Sequence, residues 1–249
     1  MDAILERIKR AREYATANKT EPEYECEKCK DALFIFKRDE KGYEVAIPCE
    51  CREKRNAKKR MMASGISEED LQKGFSDFLT LDEKELVTAK QISIKYFKDF
   101  QNIKDSRANS ILLCGAVGRG KTTLGLAITN NLLASGVPVL YMPYRDTITE
   151  LKQNIIDEVA YREKMHKLKN VSVLFLDDLF KGKITESDIN IMYEIINHRY
   201  LQRLPLIIST EKTQEELLDI DEAIGSRIIE MSKAYIVSFD KSVPNYRLR

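Results

Sequence analysis

A glycine-rich stretch, GAVGRGKT at positions 115–122, holds the residues with the clearest chemistry. It matches the pattern G-x-x-x-x-G-K-[ST] at every specified position and lies between an apolar run and a helical pattern. Glycines let the backbone curl so that its N–H groups face phosphate oxygens, and the lysine adds a charge at the β- and γ-phosphates. The alternative is a glycine-rich turn that binds nothing. The position of the motif between an apolar run and a helical pattern disfavours this alternative. Nine residues are expected to hold a nucleotide: Gly115, Ala116, Val117, Gly118, Arg119, Gly120, Lys121, Thr122 and Thr123.

Two carboxylates follow the apolar run VLFL, at Asp177 and Asp178. A buried strand would deliver both to the sheet edge at which the phosphate loop lies. We expect Asp177 to bind Mg²⁺ together with the hydroxyl of Thr122, and Asp178 to orient or deprotonate the attacking water. Alone, such a pair could be an ordinary solvent-facing loop, but the phosphate loop favours the functional interpretation.

Four of the five cysteines form two close pairs, Cys26 with Cys29 and Cys49 with Cys51. Four thiolates satisfy tetrahedral Zn²⁺, and a hairpin between the pairs would bring them together. Such a site is structural, because protein atoms fill all four positions. Free thiols or another metal remain alternatives, since C-x-C is less usual than C-x-x-C. Cys114, in the run before the phosphate loop, is expected to be a small buried hydrophobe.

The composition limits the partners and the compartment. Lys and Arg number 41 against 40 Asp and Glu, so a net charge of +1 indicates neither a nucleic-acid nor a membrane partner. No apolar run approaches the ~20 residues that cross a bilayer, and the N-terminus is too charged for a secretory signal. We therefore expect a cytoplasmic protein without a membrane partner, in which paired cysteines indicate metal before disulfide bonds.

Strands and helices alternate after Asn109. Apolar runs predict four strands, at 110–115, 137–143, 171–178 and 204–210. Helical patterns lie between them at 121–134, 146–166 and 185–202. One or two further helices and a final strand follow, with nothing long enough for a separate helical lid. This alternation predicts an α/β fold, a parallel sheet covered by helices on both faces.

The N-terminal part has a different pattern. Residues 2–17 predict a short amphipathic helix, which either packs on its own domain or docks a partner. The runs LFIF and YEVAI flank the turn RDEKG and predict a hairpin that joins the cysteine pairs. A basic helix over 52–62 and a further helix over 82–100 lead into the phosphate-loop part.

Six segments then resemble a known family: the cysteine hairpin, GAVGRGKT, VLFLDDLFKG, EIINHRY, PLIIST and AIGSRIIEM. In this order they are similar to the DnaC/DnaI-type replicative helicase loaders of bacteria and phages, over nearly the whole chain. Those loaders are AAA+ ATPases, and IstB-type transposition helpers have a similar core. The phosphate loop alone would indicate only an NTPase, whereas the cysteine hairpin, DDLFKG and GSRIIEM narrow the resemblance.

The resemblance implies roles for particular residues. Lys121 would act in catalysis as well as binding, and Arg227 matches the arginine finger that reaches a neighbouring protomer's γ-phosphate. The alternative for Arg227 is an ordinary exposed helix arginine. Thr210 would contact the γ-phosphate, although LIISTE departs from the serine and asparagine of relatives and leaves the role of Glu211 open. Arg247 resembles a C-terminal Tyr-Arg of such loaders.

The resemblance also implies a function and a division of labour. Residues 1–63 would form a zinc-binding domain that grips the replicative DNA helicase, 64–105 a linker with leading helices, and 106–249 the AAA+ ATPase core. The protein would load the helicase on single-stranded DNA as an ATP-dependent homo-oligomer, using ATP and Mg²⁺. A transposition helper and a nucleotide-bound adaptor without hydrolysis are the alternatives. Four candidate DNA contacts follow the strands: Tyr144, Arg145, Lys181 and Lys183.

Overall fold

The structure, a computed structural model, describes residues 24–63, 67–80 and 83–240, and for Arg60 the backbone only. The predicted helix over 2–17 and Arg247 lie outside these ranges. Two compact units divide between Arg52 and Glu53. The assignment of functions to residues 1–63, 64–105 and 106–249 is a different division and stays a prediction.

The N-terminal unit is built on a hairpin. Strands β1 (Phe34–Arg38) and β2 (Glu44–Pro48) pair antiparallel, and the turn is closed by the carboxylate of Asp39, which accepts the N–H groups of Lys41 and Tyr43. Among described residues 24–52, Cys29 and Cys49 are the only buried ones. Because this unit has no apolar core among its described residues, a metal bound by its cysteines would supply the folding energy that burial does not.

A five-stranded sheet forms the centre of the second unit. Its strands are β3 (Ile111–Gly115), β4 (Val139–Pro143), β5 (Val173–Leu179), β6 (Leu206–Thr210) and β7 (Ile236–Phe239). All neighbouring strands run parallel, in the order β4-β5-β6-β3-β7. The parallel sheet predicted from the sequence is therefore confirmed. Because β6 lies between β3 and β5, the phosphate loop that follows β3 and the carboxylates of β5 are two strands apart. Both lie at the carboxyl ends of the parallel strands.

Nine α-helices are found in the described residues. They are α1 (Glu50–Ala63), α2 (Glu68–Gln72), α3 (Lys84–Ile103), α4 (Lys121–Ala134), α5 (Tyr144–Gln153), α6 (Glu158–Asn170), α7 (Glu186–Leu201), α8 (Gln214–Ile220) and α9 (Glu222–Ser232). None of these helices, which come from the described part of the chain, is long and apolar enough to span a membrane. The described part also has no separate helical lid, as the sequence predicts.

The helices cover both faces of the sheet. Residues of α1, α3 and α4 pack with Ile111 and Leu113 on one face, whereas α5 to α9 pack with Leu112 and Cys114 on the other. This alternation follows from the two-residue period of a strand. Cys114 is 1% exposed, which confirms it as a small residue of the core.

One predicted helix is wrong in its extent. The sequence predicts a single helix over 146–166, but the structure ends α5 at Gln153 and begins α6 at Glu158. Asp157 accounts for the new start, because its side chain accepts the backbone N–H of Ala160 as an N-cap. The loop between the helices leaves Ile156 96% exposed, so the chain faces solvent where the sequence predicted the middle of a helix.

Candidate functional site

Three glycines shape the loop between β3 and α4. Gly115, Gly118 and Gly120 have φ values of +105°, +74° and +81°, a region that favours glycine. A Cβ atom on Gly115 would also lie 2.2 Å from the carbonyl oxygen of Phe239, and one on Gly120 would lie 2.6 Å from the ring of Phe78. The loop therefore depends on glycine for both its dihedral angles and its close packing.

Lys121 begins α4 and turns back into the loop. Its ammonium group is buried and donates to the carbonyl oxygens of Gly115 at 2.9 Å and Ala116 at 2.8 Å. Burial lowers the pKa of Lys121. A phosphate anion bound beside Lys121 would offset the cost of burying its charge. A bound phosphate at this position is what the glycine-rich motif implies.

Asp177, two residues before the end of β5, accepts more side-chain hydrogen bonds than the other carboxylates of the site. The Thr122 hydroxyl donates to its Oδ1 at 2.9 Å, Ser209 donates to the same oxygen, and the Tyr141 hydroxyl donates to Oδ2 at 2.8 Å. The residue is 6% exposed, and burial raises the pKa of Asp177 while the hydroxyls oppose that shift. The structure thus brings together Asp177 and Thr122, a carboxylate and a hydroxyl of the type that Mg²⁺ prefers.

Asp178 points into the cleft beside the loop. Its carboxylate accepts a hydrogen bond from Lys181 Nζ at 2.7 Å, and the same nitrogen lies 3.3 Å from Glu211 Oε1. The pKa of Lys181 is raised, first because Asp178 accepts its hydrogen bond. Ten residues line this cleft: Val117, Gly118, Arg119, Gly120, Lys121, Thr122, Thr123, Asp178, Lys181 and Glu211.

Thr210 does not share this cleft, whereas its two neighbours contact the site. Its hydroxyl is buried and donates to the carbonyl oxygen of Leu179 at 2.7 Å. Ser209 contacts Asp177, and Glu211 lines the cleft. Side chains alternate along β6, so Ser209 and Thr210 point to opposite faces of the sheet. Glu211 follows the last residue of β6.

Ser209 and Tyr141 are the site residues that the sequence analysis missed. Ser209 lies on β6, between the strand that leads into the phosphate loop and the strand that carries the carboxylates. Since side chains alternate along a strand, the sequence could have indicated that Ser209 and Thr210 point in opposite directions and that only one of them contacts Asp177. Tyr141 lies on β4, opposite Phe175 of β5, and no local pattern distinguishes its hydroxyl from those of other tyrosines. Its role follows only from the pairing of β4 with β5.

Arg227 is held on α9 away from this cleft. Its guanidinium carbon lies 5.5 Å from the ring centroid of Tyr193 and 5.4 Å from that of Tyr200, and Nη1 donates to the carbonyl oxygen of Ala223. Both distances are within cation–π range. Arg227 is not among the described residues that line the cleft, and its role as an arginine finger stays a prediction.

The candidate DNA contacts have different surroundings. Tyr144 is 1% exposed and its ring centroid lies 5.7 Å from that of Phe180, so a base cannot stack on it here. Arg145 donates to the carbonyl oxygens of Lys181 and Lys183. Lys181 lies in the nucleotide cleft, and Lys183 is exposed.

The four paired cysteines of the N-terminal unit converge. The Sγ atoms of Cys26, Cys29, Cys49 and Cys51 all lie within 4.8 Å of one another. Tetrahedral zinc with Zn–S bonds of ~2.3 Å places sulfurs ~3.8 Å apart, so the set fits this ion. Beside it, the carboxylate of Asp31 accepts the backbone N–H of Cys26, which helps to fix the turn that carries the first pair.

The comparison with known proteins agrees with this geometry. The family described as "IstB-like ATP binding protein" matches residues 48–231. The chain belongs to this family. It therefore carries an ATP-binding domain, in agreement with the phosphate loop and with the buried carboxylate beside it.

Two curated relatives narrow the resemblance. The phage-like element PBSX protein XkdC of Bacillus subtilis (strain 168) is 37% identical over 248 residues, 95% of this chain and 92% of the relative. The replicative helicase loader DnaC of Escherichia coli (strain K12) is 27% identical over 139 residues, 55% of this chain and 53% of DnaC. The resemblance to helicase loaders, with IstB-like proteins as relatives, is confirmed.

Two solved structures share the fold. The crystal structure of DnaI has a TM-score of 0.58 at 22% identity, over 70% of this chain and 94% of DnaI. The replication initiator DnaA bound to AMPPCP and single-stranded DNA has a TM-score of 0.56 at 20% identity, over 68% of this chain and 50% of DnaA. These likenesses confirm the AAA+ fold class.

The cysteine cluster generates the first prediction. Protein purified without chelator is expected to contain one zinc ion per chain by elemental analysis, because four convergent thiolates form a closed site. Serine in place of Cys49, which is 2% exposed, should abolish the zinc content, whereas serine in place of Cys114 should leave it unchanged. A zinc content near zero in the unmodified protein would contradict the assignment.

Proposed function

We propose that this protein is an ATP-hydrolysing loader that binds the replicative DNA helicase and places it on single-stranded DNA during replication initiation. The contact between Thr122 and Asp177 carries the nucleotide part of the proposal, because it joins the phosphate loop to a buried carboxylate two strands away. The helicase part rests on the relation to DnaC. We place this activity in the cytoplasm, where the replicative helicase acts.

The residues that line the cleft, together with the buried Asp177 that contacts Thr122, divide the chemistry of hydrolysis. Lys121 and the backbone N–H groups of the loop bind phosphate oxygens, and Thr122 and Asp177 hold Mg²⁺, which would neutralise charge on the phosphates. Asp178 orients the attacking water or accepts its proton. The second carboxylate favours hydrolysis over a passive adaptor, since binding alone requires no group that acts on water.

The N-terminal unit is the proposed helicase-binding part. Its hairpin leaves Phe36 and Tyr43 66% and 68% exposed, and large exposed apolar groups of this kind are typical of interaction surfaces. This unit favours the loader over an IstB-like transposition helper, the second candidate that the family's description supports.

Assembly completes the proposal. Arg227 lies outside the described lining of its own chain's cleft, and two tyrosine rings fix its direction. In an ATP-dependent homo-oligomer it would contribute positive charge to the γ-phosphate bound by the adjacent copy. Single-stranded DNA would favour this assembly by bringing copies together, and DnaA, which shares the fold, has been solved with a single strand bound.

Helicase binding is tested with the full chain. Serine in place of Phe36 or Tyr43 is expected to weaken capture of purified replicative helicase at least about tenfold, because interface energy concentrates in a few large side chains. Binding is measured by surface plasmon resonance, and ATP affinity should not change. Serine in place of Ile156, an apolar residue of the other unit that is even more exposed, at 96%, is the control. Loss of helicase binding in the Ile156 variant alone would contradict the proposed division of labour.

The trans role of Arg227 is tested by mixing two inactive variants. Arg227→Ala and Lys121→Ala should each hydrolyse ATP slowly, with a loss of about 10³–10⁵ for a missing arginine finger. Their mixture should regain activity, because one interface can join an intact loop to an intact arginine. Arg107→Ala is the control, since Arg107 also stacks on Tyr200, at 4.6 Å. Full activity of Arg227→Ala with DNA and helicase, or no recovery in a mixture shown to co-assemble, would remove Arg227 from the mechanism.

A further inference from the structure

Lys181 occupies an unusual place for a charged loop residue. Its ammonium group lies in the nucleotide cleft, 2.7 Å from Asp178 and 3.3 Å from Glu211. One cation thus joins two carboxylates in the cleft that the phosphate loop also lines. The sequence analysis considered this lysine only as a candidate DNA contact.

The backbone around Lys181 is fixed from both sides. Asp178, Phe180 and Gly182 have φ values of +55°, +58° and +80°, so the segment turns sharply back on itself. Phe180 is buried against Tyr144, and Arg145 donates to the carbonyl oxygen of Lys181. Non-glycine residues in the left-handed region cost energy and persist where the surrounding structure enforces them. The fold therefore holds the base of this side chain at the cleft.

The stability of the free protein does not account for the arrangement. The side chains of Lys181 and Asp178 are 38% and 32% exposed, and ion pairs in contact with water stabilise a fold little. Lys181 also contacts the carboxylate of Asp178, which is the group proposed to act on water. The ion pair between Lys181 and Asp178 contributes little to folding and covers a catalytic group. Lys181 can therefore exchange Asp178 for a more highly charged anion that enters the cleft.

We propose that Lys181 is the residue that distinguishes ATP from ADP. Before ATP binds, Lys181 holds Asp178. In the presence of ATP its ammonium group moves from Asp178 to the more highly charged γ-phosphate, and Asp178 becomes available to the attacking water. Glu211 remains the second partner and keeps the lysine at the cleft. The chemical step is the hydrolysis already described, with no additional reactant. This inference rests on the proposed ATPase function and names the contact through which the γ-phosphate is recognised.

The test compares nucleotides in the full-length protein. Lys181→Met keeps the aliphatic stem and removes the charge. Its affinity for a non-hydrolysable ATP analogue, measured by calorimetry, should fall about tenfold or more, while its affinity for ADP stays within about twofold. The maximal rate of ATP hydrolysis should also fall, because Lys181 neutralises charge that develops on the transferred phosphate. Lys181→Arg should restore part of both effects. Lys164→Met is the control and should change neither, because it removes a similarly exposed ion pair, with Glu150, that does not line the cleft.

The outcomes separate this inference from the proposed function. If the unmodified protein binds neither nucleotide, the proposed function itself fails. If it binds and hydrolyses ATP, but Lys181→Met keeps the same ratio of analogue to ADP affinity, only the role of Lys181 is overturned. An equal loss of both affinities, or faster hydrolysis with an unchanged ratio, would also overturn it. Unchanged ADP affinity serves as the check that Lys181→Met is folded.

Discussion

The burial of the Asp177 carboxylate is the constraint around which the site is organised. A buried negative charge is costly unless hydrogen-bond donors surround it, and here three hydroxyls donate to it, from Thr122, Ser209 and Tyr141. Each donor comes from a different element, α4, β6 and β4. The strand order is what makes this convergence possible, because β6 lies between β5 and the strand that leads into the phosphate loop.

The same buried group connects the fold to the proposed function. Burial raises the pKa of Asp177, so the protein without a ligand bears the cost of a charge that a divalent cation would relieve. Lys121 is the opposite case, since burial lowers its pKa and an anion would relieve it. Two buried groups of opposite charge, each hydrogen-bonded to neutral partners, favour a ligand that carries phosphates and a metal together.

Most of the fold could be predicted from the sequence, because buried parallel strands and glycine-dependent loops leave strong local patterns. The phosphate loop and the strand that carries Asp177 belong to this class, whereas the convergence of the cysteines was predicted from their paired spacing and the hairpin between the pairs. The break in the helix over 146–166 could not be predicted from apolar spacing, since a cap by Asp157 competes with helix continuation. Tyr141 could not be predicted as a site residue for another reason. Its contact with Asp177 depends on the pairing of β4 with β5, and the order of strands in the sheet cannot be read from local sequence patterns. The predicted γ-phosphate contact of Thr210 stays a prediction, but its hydroxyl donates to the carbonyl oxygen of Leu179, whereas its neighbour Ser209 donates to Asp177.

The central claim is that Lys121 binds the phosphates whereas Asp178 acts on water. The most direct measurement is the equilibrium affinity for ATP alongside the single-turnover rate of hydrolysis, in Lys121→Ala and Asp178→Asn. Lys121→Ala should lose affinity, because it removes a contact with the bound substrate. Asp178→Asn should bind ATP as tightly as the unmodified protein and lose hydrolysis by about 10²-fold or more, the usual contribution of a positioned acid–base group. An equal loss of affinity in both variants, or an unchanged rate in Asp178→Asn, would contradict the account.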